Sequence, residues 1–302
     1  MERGVSGGLV RPAVDNRRGG LWHILAGFLF SLMAVLAKLL GDRLPSAEIA
    51  FARTFLGFLL LTPLLHRAGR SAWRTERLWL HVTRGTVGTL ALLCSFYAIT
   101  NMPLAEATSL SFTKPLFQVL LAALILRETV RAPRWGATIL GFVGVLVMLR
   151  PSAGTIQLAG LVALLGAACV AVVGIALREL AQGERHLTIL AYLGLIGSIV
   201  TGIPAAFVFV VPTTLELGVM VAMAVIGIAG QACLIRGYAV GEASALAVYD
   251  YARLPFAALF GYLLFAERPD LAALLGALLI ALSTLYIARY DTRHAVAAGD
   301  RR

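Results

Sequence analysis

In the stretch EATSLSFTKPLFQVLLAALILRE, residues 106–128, a lysine and a proline, Lys114 and Pro115, interrupt an otherwise apolar run. An ionisable side chain at membrane depth costs ~2.5–3.5 kcal/mol on insertion scales and normally faces a cavity or a partner. Lys114 therefore has two readings. It is a cavity cation that receives a substrate carboxylate or phosphate, or it steadies a bend by bonding an acidic neighbour or the carbonyls that Pro115 frees. The stretch YDYARLP, residues 249–255, sets two tyrosines, an aspartate and an arginine ahead of another proline. Asp250 and Arg253, three apart, share a helix face and either neutralise each other or separate to serve a zwitterion. In the second case Asp250 takes an ammonium or a coupling proton and Arg253 a carboxylate.

Further candidates lie in other apolar runs. Arg53 is either a cavity cation or half of a buried pair across helices; Glu48, five residues earlier, is poorly placed to pair with it and is expected to reach water. Lys38 and Arg84 lie near segment ends and are expected to snorkel. Tyr97, Tyr251 and Phe112 are aromatic groups for stacking a ring-bearing substrate, or packing groups. Glu128 and Glu267 end equivalent segments and read as architectural, each accepting amides that open the next helix. Cys94, Cys169 and Cys233 are embedded in apolar runs without CxxC spacing, and the five histidines are scattered, so no catalytic, metal or cofactor constellation is expected. No GxxxxGK[ST] phosphate loop is present, which argues against an ATP-driven pump.

The elements that must position these residues follow from composition. The chain of 302 residues is 59% hydrophobic and 14% charged, with a mean hydropathy of +0.85. That balance belongs to a polytopic membrane protein. Apolar runs long enough to cross a bilayer fall at 20–40, 46–65, 79–99, 104–126, 133–149, 156–177, 187–210, 214–235, 241–265 and 270–288. Short connections such as NMP and VPTT make neighbouring runs helical hairpins, and no alternating strand pattern supports a barrel. With ten spans and the N-terminus inside, 18 of the 26 Lys and Arg residues fall on the cytoplasmic side, 3 on the other and 5 within segments. The net charge of +10 is thus explained by topology, and nucleic acid is not an expected partner. Residues 1–19 read as a cytoplasmic tail without signal-peptide character.

The halves repeat. The block YAITNMPLAEATSLSFTKPLFQVLLAALILRE, residues 97–128, matches YAVGEASALAVYDYARLPFAALFGYLLFAE, residues 238–267, in its Tyr-Ala, Glu-Ala-Ser/Thr, central Pro and closing Glu. Five helices per unit force the second copy to insert upside down, a secondary-transporter signature. These paired blocks resemble the two EamA domains of the drug/metabolite transporter superfamily, over residues 20–289. The resemblance implies an all-α membrane protein of ten transmembrane helices in two inverted five-helix repeats, 20–150 and 151–289, followed by a tail at 290–302. It also implies a central substrate cavity and alternating access without ATP hydrolysis or a cofactor. Within the superfamily the chain is similar to bacterial amino-acid exporters of the YddG type, and the MPLAEATSLSFTKPLF and RPSAG blocks are similar to riboflavin importers. The expectation is a monomeric transporter of the bacterial inner membrane that exports amino acids, aromatic ones included, with riboflavin import as the alternative. Its substrate-binding candidates are Lys114, Asp250, Arg253, Tyr251, Arg53, Tyr97 and Phe112. Green fluorescent protein fused after Arg302 is expected to fluoresce and alkaline phosphatase fused there to remain inactive; the reverse pattern would overturn the assigned orientation.

Overall fold

A computed structural model describes residues 15–124, 132–149, 158–241, 246, 249–250 and 252–299. Its helices are α1 (Asn16–Gly41), α2 (Ser46–Ala68), α3 (Leu78–Asn101), α4 (Leu104–Ser111), α5 (Lys114–Leu124) and α6 (Ala132–Leu149). They are followed by α7 (Leu158–Gly183), α8 (His186–Val208), α9 (Thr214–Val240), α10 (Arg253–Phe265) and α11 (Leu271–Gly299). No strand occurs among the described residues. Six helices, α1, α2, α3, α7, α8 and α9, are long and apolar enough to cross a membrane, and α6, α10 and α11 hold shorter apolar stretches. Outward-facing leucines and aromatics such as Leu59, Leu64, Ile203, Phe207 and Leu263 remain exposed, as a lipid-facing surface requires.

The run expected as a single segment at 104–126 is two helices. α4 ends at Ser111, and the chain turns through Phe112 and Thr113, whose amides bond back to Ser109 and Leu110 at 3.0 and 3.1 Å. The Thr113 hydroxyl also donates to the Leu110 carbonyl at 2.7 Å, so this freed acceptor is met by the turn itself. Pro115 then falls in the first turn of α5, where its missing N–H removes no helical bond. The expected ninth segment behaves alike: α10 opens at Arg253, with Pro255 in its first turn, after a turn in which Ala252 N–H bonds Tyr249 O at 3.1 Å. Of the residues just before it, Tyr251 lies outside the described residues, as does Glu128 of the first half.

Helix pairing carries the imprint of the repeat. α1 packs along α9 as α3 packs along α7, and α3 meets α8 as α9 meets α2. α2 with α8, and α6 with α11, join equivalent helices of the two halves. Exchanging each helix for its counterpart leaves this pattern unchanged. The α6–α11 seam runs backbone to backbone: a Cβ added at Gly144 would meet the Gly276 carbonyl oxygen at 2.9 Å, and one at Gly276 would meet that of Gly144 at 2.7 Å.

Near the α1–α2 connection, polar links tie helix ends together. Lys38, expected to snorkel, instead forms an ion pair with Glu267 just beyond α10 and donates to Met102 O at 2.8 Å. The other oxygen of Glu267 accepts the Leu104 amide at 2.8 Å. Glu267 is architectural, but the amide it accepts opens α4 of the first half rather than the helix that follows it. Glu48, expected to reach water, is only 2% exposed and accepts the Val210 amide at 2.9 Å. Arg43 completes the set, its Nε donating to Glu216 Oε1 at 2.6 Å and its Nη2 to Val211 O at 2.9 Å.

Two stability outcomes follow. Gly144→Leu forces the α6–α11 backbones apart and is expected to cost about 1–3 kcal/mol, read as a lower melting temperature in detergent. Glu267→Ala leaves the Lys38 charge partly buried and unpaired, an expected loss of about 3 kcal/mol. In a cycle of Lys38→Met, Glu267→Gln and the double variant, the two losses are expected to be non-additive by about 1 kcal/mol or more; simple additivity would refute the clamp.

Candidate functional site

Both helix breaks place a cation at the first position of the half-helix that follows: Lys114 opens α5 and Arg253 opens α10. A helix N-terminus already carries about half a positive charge. A cation there is unfavourable unless negative charge is nearby. Asp250 is the acid within reach, and it feels both cations. Lys114 also lies within electrostatic reach of the Tyr238 hydroxyl on α9. Its side chain runs beside α7, where a Cβ on Gly174 would make ordinary contact with it, 3.5 Å from Cε and 3.8 Å from Nζ. A lysine of the first half and an aspartate of the second thus lie within electrostatic reach of each other.

Asp250 does not close onto Arg253: no ion pair within 4.0 Å joins them among the described residues. It faces His23 instead, whose Nε2 lies 3.9 Å from Asp250 Oδ1. His23 is 1% exposed, its Nδ1 is 3.1 Å from Gly19 O, and its ring meets Tyr238 edge-on at 4.9 Å. Because a carbonyl only accepts, Nδ1 carries the hydrogen in the neutral ring, and Nε2 turns its lone pair towards the carboxylate. The Arg253 guanidinium lies 5.9 Å over the Phe30 ring, and its Nε is buried without a hydrogen-bond partner.

The other predicted residues sit elsewhere. Arg53 on α2 is 8% exposed and forms no ion pair with Glu48. Phe112 is buried at the α4–α5 turn within the main apolar core, and Tyr97 packs, partly buried, against that same core. Tyr251 lies outside the described residues. Arg84, expected to snorkel, is 3% exposed and donates to Gln231 on α9 at 3.2 Å. Sequence reasoning missed His23, Tyr238 and Gln231, whose signal was only a polar group inside an apolar run. Among the described residues no three His, Cys, Asp or Glu side chains converge as metal ligands.

Known proteins match this architecture along nearly its whole length. The EamA-like transporter family matches residues 17–150 and again 157–289. The S-adenosylmethionine uptake transporter of Rickettsia prowazekii is 32% identical over 269 residues, 89% of this chain and 92% of that one. The pseudopaline exporter CntI of Pseudomonas aeruginosa is 33% identical, over 90% of this chain and 96% of its own. The riboflavin transporter of Rhizobium johnstonii is 34% identical, over 91% and 92%. A crystal structure with 21% sequence identity shares the fold, with a TM-score of 0.61 over 91% of this chain and 98% of that one. With two matching domains and apolar helices throughout, the chain belongs to the EamA family of the drug/metabolite transporter superfamily and is a multi-pass membrane transporter of small molecules.

Proposed function

We propose that the chain is a secondary-active exporter of small zwitterionic metabolites, amino acids in the first instance and aromatic ones among them. It works by alternating access as a monomer in the bacterial inner membrane. Ten spans form two inverted halves, both termini are cytoplasmic, and the cargo site lies between the halves. The observation that carries this reading is that Lys114 of the first half lies within electrostatic reach of Asp250 of the second, whose Oδ1 is 3.9 Å from His23 Nε2. Half-helix N-termini aimed at a midplane site suit anionic substrate groups. Lys114 and Arg253 receive the cargo carboxylate, and Asp250 receives its ammonium or, between loads, a coupling proton. His23 stands 3.9 Å behind Asp250 as the group that holds or relays that proton. Tyr251 adjoins Asp250 in sequence but lies outside the described residues, whereas Phe112 and Tyr97 frame the break by packing. S-adenosylmethionine, named for one relative, is itself built on an amino acid. A riboflavin cargo is the second reading, favoured by the relative named for it.

Proteoliposomes loaded with radiolabelled phenylalanine, glutamate, S-adenosylmethionine or riboflavin, with and without a pH gradient, test the proposal. Amino-acid movement is expected, reduced about tenfold or more by Lys114→Met, Asp250→Asn or Arg253→Gln, since each removes a charge-assisted contact. The melting temperature should stay near that of the parent. Movement of riboflavin in preference to amino acids would replace the first reading with the second, and movement of none of the four would defeat both.

A further inference from the structure

A second group of polar side chains lies away from the Lys114–Asp250 place, where α2, α3 and α9 meet. It joins Arg53, Arg84 and Gln231. Arg84 donates one N–H to the Gln231 amide oxygen at 3.2 Å, yet its Nε is buried without a partner. The Nε of Arg53 is likewise buried and without a partner. The two guanidiniums feel each other's charge, and no described carboxylate lies within ion-pair distance of either. The nearest acid along α2, Glu48, is engaged by the Val210 amide. α9 makes room for Arg53 with a glycine: a Cβ on Gly227 would sit 3.1 Å from its Nε.

Arg53 and Gln231 border a cavity of about 30 Å³ that Thr54, Gly57, Phe58 and Gly194 help to line. That volume admits roughly two waters, or the two oxygens of one carboxylate, and no whole metabolite. Two neighbouring, desolvated, like charges destabilise the empty fold. A purely structural role would supply a counter-charge, as Glu267 does for Lys38. Planar guanidiniums with unused N–H groups match the geometry of an oxyanion instead.

We propose that Arg53, Arg84 and Gln231 form a second subsite that receives one anionic oxygen group, a carboxylate or phosphate, of those cargoes that carry one beside the α-carboxylate. Calling that anion cargo rests on the transporter reading; the binding of an anion does not.

The purified full chain in detergent tests this by thermal melting with malonate, inorganic phosphate or phosphatidylglycerol, at ionic strength matched with chloride. Malonate or phosphate is expected to raise the melting temperature saturably, with an apparent affinity at least about tenfold weaker in Arg53→Gln and Arg84→Gln. Arg53→Lys should retain part of the effect. Without any anion, Arg53→Gln should melt no lower than the parent, because it removes an uncompensated charge. A lower melting point in that variant, together with malonate or phosphate protection equal to the parent's, would mean a structural role and overturn the subsite. Protection by phosphatidylglycerol alone would make it a lipid headgroup site and also overturn the proposal. If Arg53→Gln does not fold, Gln231→Leu, which unseats Arg84, provides the same comparison. Transport in liposomes separates the two readings: amino acids moving without anion protection sinks only the subsite, and anion protection with nothing transported sinks only the function.

Discussion

A bilayer offers no water to the open ends of a broken helix, so an interrupted span survives only where protein or a wet cavity satisfies its backbone. The break between α4 and α5 meets that condition locally. Thr113 satisfies the Leu110 carbonyl with both its amide and its hydroxyl, and Pro115 occupies a position that needs no N–H. Once the break exists, the electrostatics of the interior follow. α5 and α10 each begin with a cation at their positive end, and Asp250 lies within electrostatic reach of both.

The ionisable groups divide by position. Around the α1–α2 connection most find partners: Lys38 with Glu267, Arg43 with Glu216, and one oxygen of Glu48 with the Val210 amide, although its Oε1 is buried without one. These links join α1, α10 and the α3–α4 turn, and α2 with the α8–α9 connection, so they set how the two halves meet at that end. In the interior the opposite holds. Arg53, Arg84 and Arg253 each keep a buried Nε without a hydrogen-bond partner. Satisfied pairs hold a fold in one arrangement, whereas unsatisfied ones store interactions for a group that arrives later.

What was legible in the sequence followed the range of the interaction involved. Lys114-Pro115 announces its break because a proline acts on its own turn, and the apolar runs announce the helices because each is a local length of hydrophobic chain. The two-half layout was readable from residues 97–128 and 238–267 because the repeat is written twice. Lys38 was misjudged because Glu267 stands 229 residues away, and no spacing rule links them. Arg84 and Glu48 fail for the same reason: Gln231 and Val210 reach them only through helix packing. His23 was set aside as one of five scattered histidines, since its nearness to Asp250 arises from the α1–α9 seam. Distance from a segment's end thus proved a poor guide to whether a charge snorkels; the guide was whether another helix presents a partner or a vacancy at that height.

The same reasoning bears on why family membership reaches the scaffold and stops short of the cargo. Relatives named for S-adenosylmethionine, pseudopaline and riboflavin are each 32–34% identical to this chain over about nine-tenths of its length. What such relatives can share at that identity is the pattern of apolar helices, breaks and close-packed glycines, because backbone satisfaction and packing constrain every member alike. Cargo choice rests on a different quantity, the difference in free energy between filling the interior with one solute or another. In the proposed cargo region Lys114 and Arg253 lie within electrostatic reach of Asp250, whereas Arg53 and Arg84, apart from them, have no carboxylate within ion-pair distance among the described residues. A solute that leaves this excess of positive charge uncompensated is disfavoured whatever its shape, and one that adds a second cation more so. Shape and aromatic contact then select among the solutes that electrostatics admits.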